Sequence, residues 1–127
     1  MIMSHKEPLN KLITRLAPTP SGYLHIGNAY SFVLTSLFAQ STKGQLHLRI
    51  DDIDAERART EYLEDIFQQI EWLGIEINVG PSGVDDFKKK FSQHLRLPVY
   101  QNYIQNLVDQ KLVFACQCSR SQVAAAS

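Results

Sequence analysis

The sequence predicts an α/β fold, a parallel sheet flanked by helices, on three observations. An apolar run from Lys11 to Ala17 stops at Pro18, a long helical pattern opens at Ile26, and Gln45 to Asp51 alternates Leu46, Leu48 and Ile50 with Gln45, His47 and Arg49. A bulky apolar run halted by proline is a strand and its exit. Apolar residues three and four apart mark a helix face, and strict alternation marks a strand with one wet face. Strand, helix and strand in that order form a βαβ unit with parallel strands and a right-handed crossover.

Met1 to Asn10 is polar and expected to fray, and Leu12, Ile13 and Leu16 give the first strand its bulk. Pro18 and Pro20 cannot donate to a sheet ladder and hold the chain in an extended loop up to His25. The first helix carries Ala29, Tyr30, Val33, Leu34, Leu37 and Phe38 on one predicted face, with Gly44 placed as its C-terminal cap. Thr60 is positioned to cap a second helix that buries Leu63, Ile66, Phe67, Ile70 and Leu73 and ends at Gly74. Ile75 to Val79 reads as a short extended piece and Gly80-Pro-Ser-Gly83 as a turn, while Val84 to Arg96 has no clear period. Pro98 fits the first turn of a further helix with Tyr100, Tyr103, Ile104, Leu107 and Val108 on its face. Leu112 to Cys118 is expected to be extended, and Ser119 to start a last helical turn. With no repeat, low-complexity tract or linker, one domain is the economical reading. A chain ending just after a strand and a cap signal reads as truncated.

Thirteen Lys and Arg balance thirteen Asp and Glu, so no overall positive field draws the chain to nucleic acid or a membrane surface. No apolar run reaches membrane-spanning length, and the N-terminus lacks the apolar core of a secretion signal, which makes the cytoplasm the expected compartment. Cys116 and Cys118 lie too close in sequence for an ordinary disulfide and fit reduced thiols or half of a four-ligand zinc site. His94 is too isolated to count as a third ligand, and Lys88 to Lys90 reads as a solvated face.

The chemistry concentrates between Thr14 and Asn28. A strand end, a rigid loop and a helix N-terminus together present free backbone N–H groups and the positive end of a helix dipole, an arrangement that attracts anions. Gly22 and Gly27 let the backbone approach a ligand, and His25 and Asn28 add donors suited to phosphate oxygens. A lone histidine in that place is also often structural. Neither the Gly-x-x-x-x-Gly-Lys phosphate loop nor the dinucleotide glycine pattern is present, which excludes an ordinary P-loop and argues against hydride transfer. Arg15, at the end of the first strand, either pairs with Asp51 or Asp52 or offers its guanidinium fork to a substrate carboxylate. In the second case Asp51, ending the neighbouring strand, is placed for an ammonium, and the two together suit an amino acid. Adjacent carboxylates on an extended segment point opposite ways, so Asp51-Asp52-Ile53-Asp54 is not read as a dedicated metal cage.

Taken together, Arg15-Leu-Ala-Pro-Thr-Pro-Ser-Gly-Tyr-Leu-His25-Ile-Gly27-Asn28, then Leu48-Arg-Ile-Asp51-Asp-Ile-Asp54 and Trp72-Leu-Gly74, resemble the N-terminal part of the catalytic domain of class I glutamyl-tRNA synthetases. The resemblance covers about Leu12 to Arg120 and implies a Rossmann-like, HIGH-type nucleotidyl-transferase fold. Phe114-Ala-Cys116-Gln-Cys118-Ser-Arg120 is most similar to the branch that attaches glutamate to queuosine in tRNA(Asp), in which a Cys-x-Cys pair begins a zinc site. The resemblance implies ATP-dependent activation of glutamate to glutamyl-adenylate, with Mg, and transfer to tRNA. It assigns glutamate to Arg15, Ala17, Thr19 and Asp51, and ATP to Pro18, Ser21, Gly22, His25, Gly27 and Asn28, with His25 and Asn28 in the catalytic role. Asp51 stands where the family usually has glutamate, and Asn28 where it has a second signature histidine; the later strands and the Lys-Met-Ser-Lys-Ser-type loop are missing. A monomer is expected. The alternatives are charging of tRNA(Glu) and a paralogue or fragment that only binds ATP or an amino acid.

Overall fold

The computed structural model describes residues 11–126, so the expectation for Met1 to Asn10 lies outside them. The chain divides between Leu95 and Arg96 into two compact units. The first holds β1 (Ile13–Leu16), α1 (Ile26–Ser41), β2 (Gln45–Leu48), α2 (Thr60–Trp72) and α3 (Val84–Asp86), which runs into a π-helical stretch at Phe87–Phe91. The second holds α4 (Leu97–Asp109) and α5 (Arg120–Ala125).

The predicted βαβ unit is present. β1 and β2 pair in parallel, with Arg15 opposite His47 and Leu16 opposite Leu48. Past the strands the ladder continues, Arg49 N donating to Leu16 O at 2.9 Å and Asp51 N to Pro18 O at 3.0 Å. The extended piece after α2 joins the other edge of β2 through a parallel bridge from His47 to Val79.

Alternation sends Leu16, Leu46, Leu48 and Ile50 to one face, where they form the core with Phe32 and Ala39 of α1, Leu63, Ile66 and Ile70 of α2, Ile75 and Phe87. Fully burying one such side chain is worth about 1.5–3 kcal/mol, and this cluster fixes α1 and α2 on one side of the strand pair. α2 matches its predicted face, with Leu63, Ile66 and Ile70 buried and Phe67 and Leu73 packed against the cluster.

Four local expectations are corrected. α1 buries Phe32, Ser36 and Ala39, while Tyr30, Leu34, Leu37 and Phe38 of the predicted face are exposed. This helix is apolar on more than one side, and small Ser36 and Ala39 let its axis come close to the strands, a choice spacing alone does not encode. Gly44 is not the residue that turns the chain at the helix end. Lys43 takes the left-handed conformation at φ 50°, with Lys43 N bonded to Gln40 O and Gly44 N to Ala39 O, a Schellman closure. Gly44 instead makes room, since a Cβ there would lie 1.9 Å from Leu12 O. Thr60 is the first residue of α2, and Arg59 occupies the cap position without a side-chain cap bond. α4 forms where Pro98 placed it, yet none of its residues is buried, and Leu112 to Cys118 is irregular. Within their own unit the irregular segment and the short α5 leave the apolar face of α4 uncovered.

Two capping signals hold. Gly74 closes α2 in the left-handed region at φ 63°, and Ser119 caps α5 by accepting from Gln122 N.

Candidate functional site

The loop from Ala17 to His25 is built from local constraints. Pro20 is fully buried and sits inside a tight turn closed by Ser21 N donating to Thr19 O at 2.9 Å, a γ-type turn that suits the fixed φ of proline. α2 braces the far end of the loop: Asp65 accepts from Leu24 N at 2.9 Å and Tyr62 meets Tyr23 edge-to-face at 4.9 Å. Asp65 and Tyr62 are about forty residues away in sequence, so no local pattern marks them.

At the mouth of α1, His25 is the N-cap. Its Nδ1 accepts from Gly27 N at 3.1 Å, and Asn28 Oδ1 accepts from His25 N at 3.0 Å. An accepting Nδ1 places the proton of the neutral ring on Nε2, leaving Nε2–H as the ring donor free for a ligand. The side-chain amide nitrogen of Asn28 is likewise outside the capping box. Gly27 has a definite reason: a Cβ there would lie 2.9 Å from His25 Cε1. At Gly22 a Cβ would meet no protein atom within 4 Å, so that backbone is open to an approaching group.

A cavity of ≈ 370 Å³ lies over this loop and gathers Ala17, Pro18, Thr19, Ser21, Gly22, His25 and Asn28 in one polar wall. Seven of the ten residues predicted for the glutamate and ATP sites meet there. Arg15, Gly27 and Asp51 are not in that wall. A second, apolar hollow of ≈ 180 Å³ shares His25 with Phe32, Trp72 and Leu73; its lining offers little to an anion.

Arg15 and Asp51 lie on one sheet face. The register pairs residues thirty-two apart in sequence, and the odd-numbered residues Arg15, Ala17, His47, Arg49 and Asp51 alternate away from the buried face. Asp51 stands four residues beyond the position opposite Arg15, about 13 Å along the strand direction. No ion pair joins them. Arg15 is exposed with no salt bridge among the described residues, whereas Asp51 is held by Arg49 in a fork, Nε to Oδ1 at 2.6 Å and Nη2 to Oδ2 at 2.8 Å. The alternative pairing of Arg15 with Asp51 or Asp52 is therefore not what forms.

Asp52 points the opposite way, as adjacent residues on an extended segment must. It is 7% exposed and accepts from Ser92 Oγ at 2.6 Å and Gln93 N at 2.7 Å. His94 Nε2 lies 2.7 Å from Asp52 O, so His94 serves this junction. Among the described residues no three His, Cys, Asp or Glu side chains are placed to share a metal ion. Cys116 and Cys118 are exposed free thiols, two of the four ligands that structural zinc takes. Lys88 to Lys90 are exposed as predicted, and Lys90 pairs with Asp86 at 2.7 Å.

Such a crevice, at the C-terminal end of parallel strands and against a helix N-terminus, defines an α/β ligand-binding domain. The family described as tRNA synthetases class I (E and Q), catalytic domain, matches residues 11–126, and the chain belongs to that family. It is 41% identical over 109 residues to a glutamate–tRNA ligase of Trichodesmium erythraeum (strain IMS101), covering 86% of this chain and 11% of that protein. It is 36% identical over 115 residues to glutamate–tRNA ligase 1 of Thermoanaerobacter sp. (strain X514), covering 91% of this chain and 24% of that protein. A solved glutamate tRNA ligase from Elizabethkingia meningosepticum CCUG26117, in complex with its amino acid, superposes with a TM-score of 0.63 at 28% identity, over 79% of this chain and 20% of that one. The chain thus spans a quarter or less of these relatives. No described helix is long and apolar enough to cross a membrane.

Proposed function

We propose that this chain carries the amino-acid and nucleotide corner of a glutamate-activating, tRNA-directed ligase. The observation that carries the reading is the placement of Arg15 and Asp51 on one sheet face, about 13 Å apart along the strands, beside a polar cavity whose wall includes His25 and Asn28. A guanidinium with no carboxylate partner among the described residues at one end and a carboxylate at the other match the two ends of glutamate. The guanidinium of Arg15 receives the side-chain carboxylate in fork geometry. Asp51, kept flat and in place by Arg49, turns its remaining lone pairs to the α-ammonium.

In the reaction the α-carboxylate oxygen of glutamate attacks the α-phosphorus of ATP; the bond to the bridging oxygen breaks and pyrophosphate leaves. Mg supplies charge neutralisation to the phosphates when ATP is bound. His25 Nε2–H and the Asn28 amide donate to non-bridging oxygens as negative charge builds there, and the loop N–H groups add fixed dipoles. No proton has to be removed from the attacking carboxylate, so the protein's task is orientation and electrostatic stabilisation. The glutamyl group then passes to a hydroxyl on tRNA.

The test is ATP–pyrophosphate exchange dependent on glutamate. His25→Ala is expected to lower it by roughly 10²- to 10³-fold, as for loss of one transition-state donor; an unchanged rate overturns the assignment. The second reading is a chain that binds ATP or glutamate without turnover. Calorimetric binding with no exchange selects it. For the acceptor we propose queuosine of tRNA(Asp), on the Cys116-Gln-Cys118-Ser-Arg120 ending; the names of the relatives fit tRNA(Glu) equally. Transfer of labelled glutamate to queuosine-containing tRNA(Asp) but not to tRNA(Glu) is the expected result, and the reverse overturns it.

A further inference from the structure

The segment that carries Asp51 is gripped by a distant one. Phe87–Phe91 adopts π-helical geometry, closed by Ser92 N donating to Phe87 O at 3.0 Å. π-turns are rare and concentrate at functional sites. This one ends with Ser92, Gln93 and His94 seated against Asp51, Asp52 and Ile53. Ser92 and His94 engage Asp52 alone. Gln93 does more: its backbone N–H donates to Asp52 Oδ1, its Oε1 accepts from Ile53 N at 3.0 Å, and its Nε2 donates to Asp51 Oδ1 at 3.3 Å. One amide thus spans the backbone of Ile53, two residues after Asp51, and the Asp51 carboxylate itself.

Resting on the proposed glutamate site, we propose that Gln93 is a positioning residue for Asp51, fixing the rotation of its carboxylate so that the lone pairs left over by Arg49 face the substrate ammonium. The chemistry favours this division of work. Arg49 holds both carboxylate oxygens in one plane from the same sheet face as Asp51, two residues away on one strand. Gln93 ties the pair to a different element, the π-turn, which is anchored in the core by buried Phe87. Its amide is neutral, so it orients Asp51 without cancelling the negative charge that the ammonium requires. A lysine or arginine at this position would compete with the substrate.

The experiment compares the unaltered chain with Gln93→Leu, which keeps bulk and loses both amide contacts, and with Ser92→Ala, which loosens the same junction only through Asp52. Glutamate and ATP are titrated calorimetrically into each, and the Asp51 carboxylate is followed by ¹³Cγ NMR in aspartate-labelled protein. Gln93→Leu is expected to weaken glutamate binding by about fivefold to tenfold, the worth of one hydrogen bond, and to move the Asp51 signal with ATP affinity unchanged. Ser92→Ala is expected to keep glutamate affinity within about twofold and leave the signal in place. Equal loss in both variants, or none in Gln93→Leu, overturns the proposal, the first by reducing Gln93 to general scaffolding. If the unaltered chain binds no glutamate, the glutamate reading fails. The NMR arm then decides separately: a signal moved only by Gln93→Leu supports Gln93 as the group that orients Asp51, and an unmoved signal overturns that too.

Discussion

The two walls of the crevice treat their polar groups in opposite ways. On the wall from β1 to α1, Arg15 has no salt bridge among the described residues, His25 uses only Nδ1 for its cap, and Gly22 faces open space. On the wall from β2 to the π-turn, Asp51 and Asp52 are bonded by Arg49, Ser92 and Gln93. Groups that folding leaves unspent are available to a ligand, while groups it consumes hold the shape. The first wall is therefore read as binding surface and the second as frame, with Asp51 belonging to both.

That contrast can be broken from the frame side first. Asp52→Ala strands the Ser92 hydroxyl and Gln93 N–H in a buried junction, and is expected to cost about 2–4 kcal/mol, read as a lower urea midpoint. A change within about 0.5 kcal/mol would show that the junction does not hold the frame. Gly44→Ala, whose Cβ would press on the Leu12 backbone, is expected to lose about 1–3 kcal/mol by the same measurement. Alanine at Gly22, on the binding wall, is expected to stay within about 0.5 kcal/mol and to weaken ATP binding in calorimetry. Gly27→Ala lies between them: the methyl meets only the His25 ring, so the ring moves. Stability is expected to fall by no more than about 1 kcal/mol, with a shift of the His25 imidazole signals in NMR.

The smallest effect is electrostatic. The Lys90 side chain, followed by Ser82 N–H, holds the Asp86 carboxyl below its ordinary value. A carboxyl lowered in the folded state adds stability above its unfolded value, and that stability is lost as pH falls through the lowered folded one. Lys90→Ala is therefore expected to remove a small contribution that is present at neutral pH and fades below about pH 4, so that the stability–pH curves of the two proteins converge in acid; a difference that grows as pH falls would contradict this role.

Much of the crevice was legible in the chain because its determinants are local. Pro18 and Pro20 stop a strand wherever they occur, Gly27 follows His25 directly, and alternation alone sets Asp51 and Asp52 on opposite faces. α2 was equally legible, since its polar and apolar sides are clearly separated. α1 was not: a helix apolar on more than one side has several candidate faces, and only the strands decided that the side with Ser36 and Ala39 goes inward. The α4 face was legible as a helix but not in its burial, which depends on what covers it.

The sequence by itself determined the βαβ order, the rigid loop, the histidine at the helix mouth and the face shared by Arg15 and Asp51, each a consequence of neighbours along the chain or of the two-residue period of a strand. Tertiary structure decided that Asp65 steadies the loop and that Gln93 reaches Asp51 from forty-two residues away. Those contacts depend on how α2 and the π-turn pack against the strand ends, and packing of that kind leaves no period in the sequence to read.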